Sequence, residues 1–211
     1  MKFILMLGAL SIIVLFSIEL GVSPPALPYA EVVSSTRYDI DGDTQDEVIE
    51  ILLVQGRLYH DKILWCGMGE KSEGQFVLQV RKGVAILSHQ SLNTLMGQEQ
   101  LFFRTPEFQL VLDDYNGDGQ IDFNLGQYSS CLGWKYQLFT IKANGSIGRL
   151  DGYDEFVCSF LNSTDTITIR DGNIGFYFYS HKFGEFYTKW YHWNGEHFAW
   201  SFTTWPYSQY P

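Results

Sequence analysis

Two short acidic segments carry the residues whose types and spacing could do chemistry. The first loop, residues 39–47 (DIDGDTQDE), and the second loop, residues 114–122 (DYNGDGQID), both place side-chain oxygens at positions 1, 3, 5 and 9. Calcium takes roughly six to eight oxygen ligands from carboxylates, carboxamides and backbone carbonyls. Because carboxylates crowded into one turn repel each other, a bound cation would stabilise such a loop. The pattern predicts a calcium site in each loop, against the alternative of two solvated Asp/Asn/Gly turns.

The segments beside the loops distinguish between two kinds of calcium site. An EF-hand needs Gly at position 6, Glu at position 12 and a helix on either side. Thr44 stands at position 6 of the first loop, and Leu125 stands at position 12 counted from the start of the second. Residues 107–112 and 51–54 are instead rich in residues that favour strands. Each loop is therefore predicted to join two strands.

The two segments resemble the FG-GAP/VCBS-type repeats, whose signature reads approximately D-x-D/N-x-D-G-x-x-D/E followed by an apolar strand. In that family the loop joins two strands of a β-propeller blade, binds calcium and serves extracellular or cell-surface interaction. The resemblance implies Ca²⁺ as the cofactor, with each Gln contributing its backbone carbonyl. The implied ligands are Asp39, Asp41, Asp43, Gln45 and Glu47 in the first loop, and Asp114, Asn116, Asp118, Gln120 and Asp122 in the second.

The N-terminal region predicts delivery to a membrane. Residues 3–18 form an apolar run behind Lys2, long for the core of a signal peptide and slightly short for a membrane span. We interpret residues 1–22 as a signal peptide or an uncleaved signal anchor, and residues 23–30 as a stiff Pro-rich spacer. Residues 31–211 are expected outside the cytoplasm, anchored to the membrane or secreted if the segment is cleaved.

Length and charge limit the partners of this exported part. It is long enough for one domain with a sizeable core. The net charge of −10 lies on it entirely, because the first thirty residues hold only Lys2 and Glu19 as charged residues. Affinity for nucleic acid comes largely from Lys and Arg that neutralise phosphates. The composition therefore argues against nucleic acid and against electrostatic docking on anionic lipid.

The three cysteines give little chemistry. Cys66, Cys131 and Cys158 are an odd number in a chain expected to face an oxidising space. Cys131–Cys158 is one candidate disulfide, and the sequence does not choose the pairing. No Cys-x-x-Cys motif or Cys/His cluster indicates zinc, and no neighbouring base marks a catalytic cysteine.

Turn signals predict the fold class. Asn144-Gly145, Asp171-Gly172 and Asn194-Gly195 each lie between strand-like runs, as in β-hairpins. About six antiparallel strands are predicted between residues 134 and 202. Further strands are predicted near residues 48–54, 76–80, 84–88 and 108–112, and one short helix within residues 91–100. The class is all-β, with antiparallel hairpin blades of a β-propeller-like fold as the first choice and a β-sandwich as the alternative.

Aromatic residues are concentrated near the C-terminus, where they are 16 of the 36 residues from 176 to 211. Trp and Tyr can stack on sugars or anchor an interface, but they also fill small β cores, which is the favoured interpretation. The residues most expected to be exposed are Trp200, Trp205, Tyr207 and Tyr210. His192 and His197 are predicted to face each other across a two-residue hairpin, where a shared metal is a less favoured alternative.

These features favour a non-enzymatic, calcium-binding, exported interaction domain that recognises a protein or a glycan. No nucleophile elbow, Walker loop or zinc-protease motif is present. One alternative is a periplasmic or surface inhibitor of a cell-wall hydrolase, which the acidic charge permits. The other is a carbohydrate-active enzyme, which needs two carboxylates roughly 5–10 Å apart, for example among Asp151, Asp154 and Glu155.

Overall fold

A computed structural model describes residues 30–60, 69–104, 108, 110–130, 133–152, 156–158, 167–170 and 172–204. Within these ranges the chain forms thirteen strands and one short helix. In chain order they are β1 (Glu31–Tyr38), β2 (Glu47–His60), β3 (Glu70–Lys82), β4 (Ala85–Ser91), α1 (Leu92–Met96), β5 (Leu101–Arg104), β6 (Ile121–Ser130), β7 (Gly133–Ile141), β8 (Ile147–Arg149), β9 (Phe156–Cys158), β10 (Ile167–Arg170), β11 (Asn173–Ser180), β12 (Glu185–Trp193) and β13 (Phe198–Thr204).

The strands form three antiparallel sheets, which confirms the all-β prediction. The first sheet has the order β1-β2-β3-β4, with β5 also pairing with β3. The second has the order β6-β7-β8, with β9 also pairing with β7. The third is the meander β10-β11-β12-β13. Neighbours in the chain are mostly neighbours in a sheet, because short turns return each strand beside its predecessor.

Two hydrophobic cores hold the three sheets together, and β7 contributes to both. Phe139 and Ile141 belong to a core shared with the first sheet, around Ile49, Leu78 and neighbouring aliphatic residues. Residues of the opposite parity, including Trp134, Tyr136 and Leu138, belong to a core shared with the third sheet, which includes Phe176, Tyr191 and Phe198. Successive residues of a strand point to opposite faces, so the second sheet is covered on both sides.

The predicted short helix is α1, and its ends have ordinary physical causes. The Ser91 hydroxyl accepts a hydrogen bond from the Thr94 N–H at the N-terminus. Gly97 ends the helix in a left-handed conformation with φ 67°.

The three hairpins are confirmed, and the strand predicted at residues 108–112 is wrong in the residues described. Phe108 makes only an isolated bridge with Ser34, and residues 110–112 are not in a strand. The Leu110 N–H donates instead to the Thr36 hydroxyl at 3.2 Å. A side chain therefore takes the hydrogen bond that a neighbouring strand would otherwise provide, and the ladder is not continued.

Several predictions fall on residues outside the described part of the chain. They include the N-terminal segment, Cys66, Cys131, Trp205, Tyr207, Tyr210, Asp154 and Glu155, and the side chain of Cys158. Within the described residues, no helix has the length and apolar character needed to cross a membrane.

Candidate metal centre

The first loop joins β1 to β2 at the edge of the first sheet. Tyr38 pairs with Glu47 at its base, so the two strands hold the ends of the loop together. The Asp39 carboxylate lies within the turn, where Oδ1 accepts the N–H groups of Gly42 at 2.8 Å and Asp43 at 3.1 Å. Oδ2 of Asp39 accepts the Thr44 N–H at 2.8 Å. The first residue of the loop thus organises the backbone of the next five.

The second loop leads into β6 and has the same base. Asp113 and Asp122 form an antiparallel bridge, with N–H to carbonyl distances of 3.1 and 2.7 Å. Oδ1 of Asp114 accepts the N–H groups of Gly117 at 2.8 Å and Asp118 at 3.1 Å. Oδ2 of Asp114 accepts the Gly119 N–H at 2.9 Å. These contacts reproduce those of Asp39.

Three further hydrogen bonds also match between the loops. The side-chain oxygen at position 3 accepts the N–H of position 5, at 3.2 Å in the first loop and 3.0 Å in the second. The carboxylate at position 5 accepts the N–H of position 7, at 2.9 and 2.8 Å. The carboxylate at position 9 accepts the N–H of position 2, at 2.8 Å in both. The two segments therefore fold into the same turn.

Backbone conformation matches as well. Position 4 is Gly42 in one loop and Gly117 in the other, both with φ 76°. Position 6 is Thr44 with φ 73° in the first loop and Gly119 with φ 80° in the second. Side chains other than Gly are disfavoured in this left-handed region. The turn therefore requires a backbone conformation at Thr44 that is unfavourable for a residue with a side chain.

The first loop is in contact with an ammonium group from a neighbouring strand. The Nζ of Lys82, at the end of β3, lies 2.8 Å from Oδ2 of Asp41, 2.6 Å from Oδ2 of Asp43 and 2.9 Å from Oε1 of Glu47. Glu47 is fully buried. Hydrogen bonds to Asp41, Asp43 and Glu47 raise the pKa of Lys82 well above its ordinary value. The bond from Lys82 in turn lowers the pKa of Asp43. The carboxylates of Asp39, Asp41 and Asp43 come close enough together to share one ion.

The second loop also contains a buried carboxylate, Asp122, but no described Lys, Arg or His makes an ion pair with it. Asp122 is fully buried, and its Oδ1, like Oε1 of Glu47, has no hydrogen-bond donor in good geometry among the described residues. Burial raises the pKa of Asp122 to about 7, and repulsion from Asp118 and Asp114 adds to the shift. Interactions with the Thr140 side chain and the Tyr115 N–H act in the opposite direction without outweighing burial. A buried carboxylate without a cationic partner carries a free-energy penalty that a bound cation would reduce.

The two loops therefore differ in how well they fit a calcium ion. Asp114, Asn116, Asp118, the Gln120 carbonyl and Asp122 offer oxygen donors only, which is the ligand type that calcium takes. In the first loop, the ammonium of Lys82 already contacts Asp41, Asp43 and Glu47. The donor types of the second loop suit calcium, although among the described residues it is the carboxylates of Asp39, Asp41 and Asp43 that come within 4.8 Å of one another. The first loop does not suit calcium while Lys82 is in place.

Lys82 is the functional residue that the sequence did not reveal. It lies between β3 and a tight turn, like many surface lysines, and no motif links it to the first loop. The pairing of Val48 with Arg81 continues by one residue to bring Lys82 opposite Glu47. In the second sheet, Asp122 is opposite Thr140. Only the register of the strands identifies Lys82 and Thr140 as counterparts.

The histidine pair was predicted wrongly. His192 is opposite Ala199 in the β12–β13 ladder, and His197 lies within the turn. The Asn194 side chain accepts the N–H groups of Glu196 and His197, both at 2.9 Å, which gives a turn of four residues instead of two. This longer turn shifts the register, so the two imidazoles are not cross-strand partners.

Asp151, a candidate acid for the carbohydrate-active alternative, and the aromatic residues of the third sheet are both explained by their structural environments. Asp151 is fully buried, accepts the Leu138 N–H at 3.2 Å and pairs with Arg149 at 2.8 Å. Most described aromatic residues of the third sheet are buried or half-buried, as the packing interpretation expects, whereas Trp200 is 62% exposed, as predicted.

Comparison of the chain with protein-family models, with curated proteins and with solved structures found no match.

Proposed function

We propose that this chain is an exported or membrane-anchored, calcium-binding interaction domain of the FG-GAP/VCBS type, which recognises a protein or a glycan without catalysing a reaction. The observation that carries the proposal is the second loop. Its acidic residues surround a turn whose carboxylate Asp122 is fully buried and makes no ion pair with a described Lys, Arg or His. Calcium supplies the positive charge that this arrangement lacks.

The role of the ion is structural. The five predicted ligands of the second loop span the base, the turn and the first residues of β6, so an ion bound to them joins the loop to the second sheet. It also offsets the repulsion of Asp114 and Asp118 on the buried Asp122. An ion that binds the folded chain and not the unfolded chain stabilises the fold by mass action.

The arrangement of the sheets supports a blade-like architecture. Each sheet contains an antiparallel meander, and the second is covered on both faces by the other two. Blades of a propeller pack face to face in this way, with loops grouped at the sheet edges. We propose that the three sheets are blades of a distorted, propeller-like domain whose loops and edges present the binding surface.

The environment of Asp151 argues against that residue as a catalytic acid or base. An acid or base in glycoside hydrolysis must reach the substrate, yet Asp151 is buried and paired with Arg149. The carboxylates at the loops are held by backbone N–H groups of their own turns. The exposed Trp200 offers an aromatic surface of the kind that stacks on sugars or anchors a protein interface.

Calorimetric titration of Ca²⁺ into the chelator-stripped full chain, purified in mild detergent, tests the proposal. We expect saturable binding that Asp118→Asn abolishes or weakens at least tenfold, because that change removes a charged ligand from the second loop. Glu70→Gln is a matched control, since it removes an exposed carboxylate far along β3 from either loop. A folded chain that binds no Ca²⁺ would contradict the proposal.

A further inference from the structure

Lys82 and the three carboxylates around it form a charged cluster. The ammonium has three N–H donors, and three carboxylate oxygens lie within 2.9 Å of Nζ. One of them belongs to Glu47, which is fully buried, while the Lys82 side chain is 25% exposed. A buried carboxylate is stable only when paired or hydrogen-bonded, and Lys82 provides that pairing.

The second loop has the same turn without such a cation. Within the described residues, Asp114, Asp118 and Asp122 make no ion pair with Lys, Arg or His. The position that corresponds to Lys82 is Thr140, a buried neutral residue. The two loops therefore have the same backbone conformation, but only the first has a lysine in contact with its carboxylates.

We propose that Lys82 is a tethered cation that takes the place of calcium in the first loop, so that the chain binds one calcium ion and not two. The inference rests on the proposed function for the second loop, and assigns a different state to the first. Lys82 is part of the chain, so it reaches the carboxylates without the loss of translational freedom that binding a separate ion entails.

The proposal has a direct structural consequence. A calcium ion that entered the first loop would have to displace the ammonium and break three short ion pairs, while the positive charge of Lys82 stayed nearby. Calcium therefore binds the first loop far more weakly than the second. Any response of the domain to calcium arises at the second loop, next to β6 and β7.

Exchange of the two corresponding residues tests this inference. Titration of Ca²⁺ into the wild-type chain should give one site, and Lys82→Thr should give two, because the change installs the residue found at the second loop. Asp43→Asn combined with Lys82→Thr should remove the gained site. Lys142→Thr is the matched control: this exposed lysine follows β7, and its change should leave one site.

The reciprocal change is Thr140→Lys, which should remove calcium binding at the second loop and make the melting temperature independent of chelator. Thr140→Gln provides a control of similar length without the charge. A folded Thr140→Lys chain that binds calcium as the wild type does would overturn the inference, as would a folded Lys82→Thr chain that still binds one ion. A Lys82→Thr chain that stays unfolded in both chelator and calcium would also overturn it, since calcium could not then replace the ammonium.

Failure of this inference is separable from failure of the proposed function. Two ions in the wild-type chain, each lost with a change in its own loop, would overturn the role of Lys82 and leave the calcium function intact. No ion in the wild type and one in Lys82→Thr would uphold the role of Lys82 and contradict the calcium function of the second loop.

Discussion

Lys82 and Thr140 occupy corresponding places in two sheets, each opposite the ninth residue of an acidic loop. Lys82 lies 2.9 Å from the buried carboxylate of Glu47. The Thr140 side chain interacts with the buried carboxylate of Asp122 but carries no charge. One loop thus contains its own cation, and the other keeps a buried acid whose charge is not compensated by the described residues. This difference leads to the predictions on calcium removal and on pH.

Removal of calcium should destabilise the wild-type chain. An ion at a hundredfold excess over its dissociation constant stabilises the folded state by about 2.7 kcal/mol. We expect the melting temperature to fall in chelator, as measured by circular dichroism. Asp114→Asn should remove most of this fall. Asp39→Asn, the matched change in the first loop, should lower the melting temperature equally with and without calcium, and a calcium-dependent loss there would contradict the prediction.

Thr44→Gly should stabilise the chain. Thr44 has φ 73°, a backbone region that costs an L residue with a side chain about 1–2 kcal/mol. Gly removes this strain, but its greater conformational entropy in the unfolded chain cancels part of the gain in stability. We expect the free energy of unfolding in urea to rise by about 0.5–1 kcal/mol. Gly119→Thr, the reverse change at the same position of the second loop, should lower it by a similar amount. A loss of stability in Thr44→Gly would show that the Thr44 side chain contributes more than its strain costs.

Stability of the metal-free chain should depend on pH through Asp122. Its pKa of about 7 in the folded state lies above the ordinary value of 3.8, so the folded chain holds a proton that the unfolded chain has released. Stability in chelator should therefore fall as pH rises from about 4 to 7 and then level off. Asp122→Asn should remove this part of the slope. Denaturant unfolding of both chains across the interval measures the difference, and parallel curves would contradict the assignment.

The Glu50–Arg81 pair should stabilise the first sheet. Arg81 donates from Nε to Oε2 at 3.0 Å and from a terminal nitrogen to Oε1 at 3.1 Å. Hydrogen bonds to charged groups contribute about 1.5–3 kcal/mol, and the Arg81 side chain is one-third exposed, so we expect Glu50→Ala to cost about 2 kcal/mol. Arg57→Ala, at a surface pair with Glu73, should cost about 0.5 kcal/mol. Equal losses in urea unfolding would contradict this ranking.

Gly56→Ala should disrupt the pairing of β2 and β3. A Cβ atom at Gly56 would overlap the backbone carbonyl oxygen of Glu73 and lie 2.9 Å from the Cα of Gly74. Backbone atoms of a paired strand cannot move aside without breaking the ladder, so we expect a loss of about 3 kcal/mol. Gly172→Ala, at φ 74° with open space around it, should cost about 1 kcal/mol from conformation alone. Similar thermal unfolding of the two variants would contradict the steric argument.

Local features of the chain were readable without the structure. The acidic turns follow from their sequences because the Asp39 and Asp114 carboxylates bond to N–H groups only three to five residues ahead. The short helix α1 also depends on local contacts, since Ser91 and Gly97 cap its two ends. Strand-favouring composition and Asn-Gly or Asp-Gly pairs likewise predicted the all-β class and three hairpins.

Errors arose where a local signal competed with a contact from elsewhere. Residues 108–112 have the composition of a strand, but the Leu110 N–H bonds to the Thr36 hydroxyl, which lies 74 residues away. His192 and His197 were paired on the assumption of a two-residue turn. The Asn194 side chain lengthened that turn, and the register moved with it.

By itself, the sequence determined the two turns, their oxygen-bearing positions and the antiparallel, all-β character of the chain. The tertiary structure decided which loop has its own cation, because Lys82 reaches Asp41 across 41 residues through the register of β2 and β3. Register depends on how whole strands bury their apolar faces, and a shift of one residue would turn Lys82 to the other face. A nine-residue motif contains no information about that pairing.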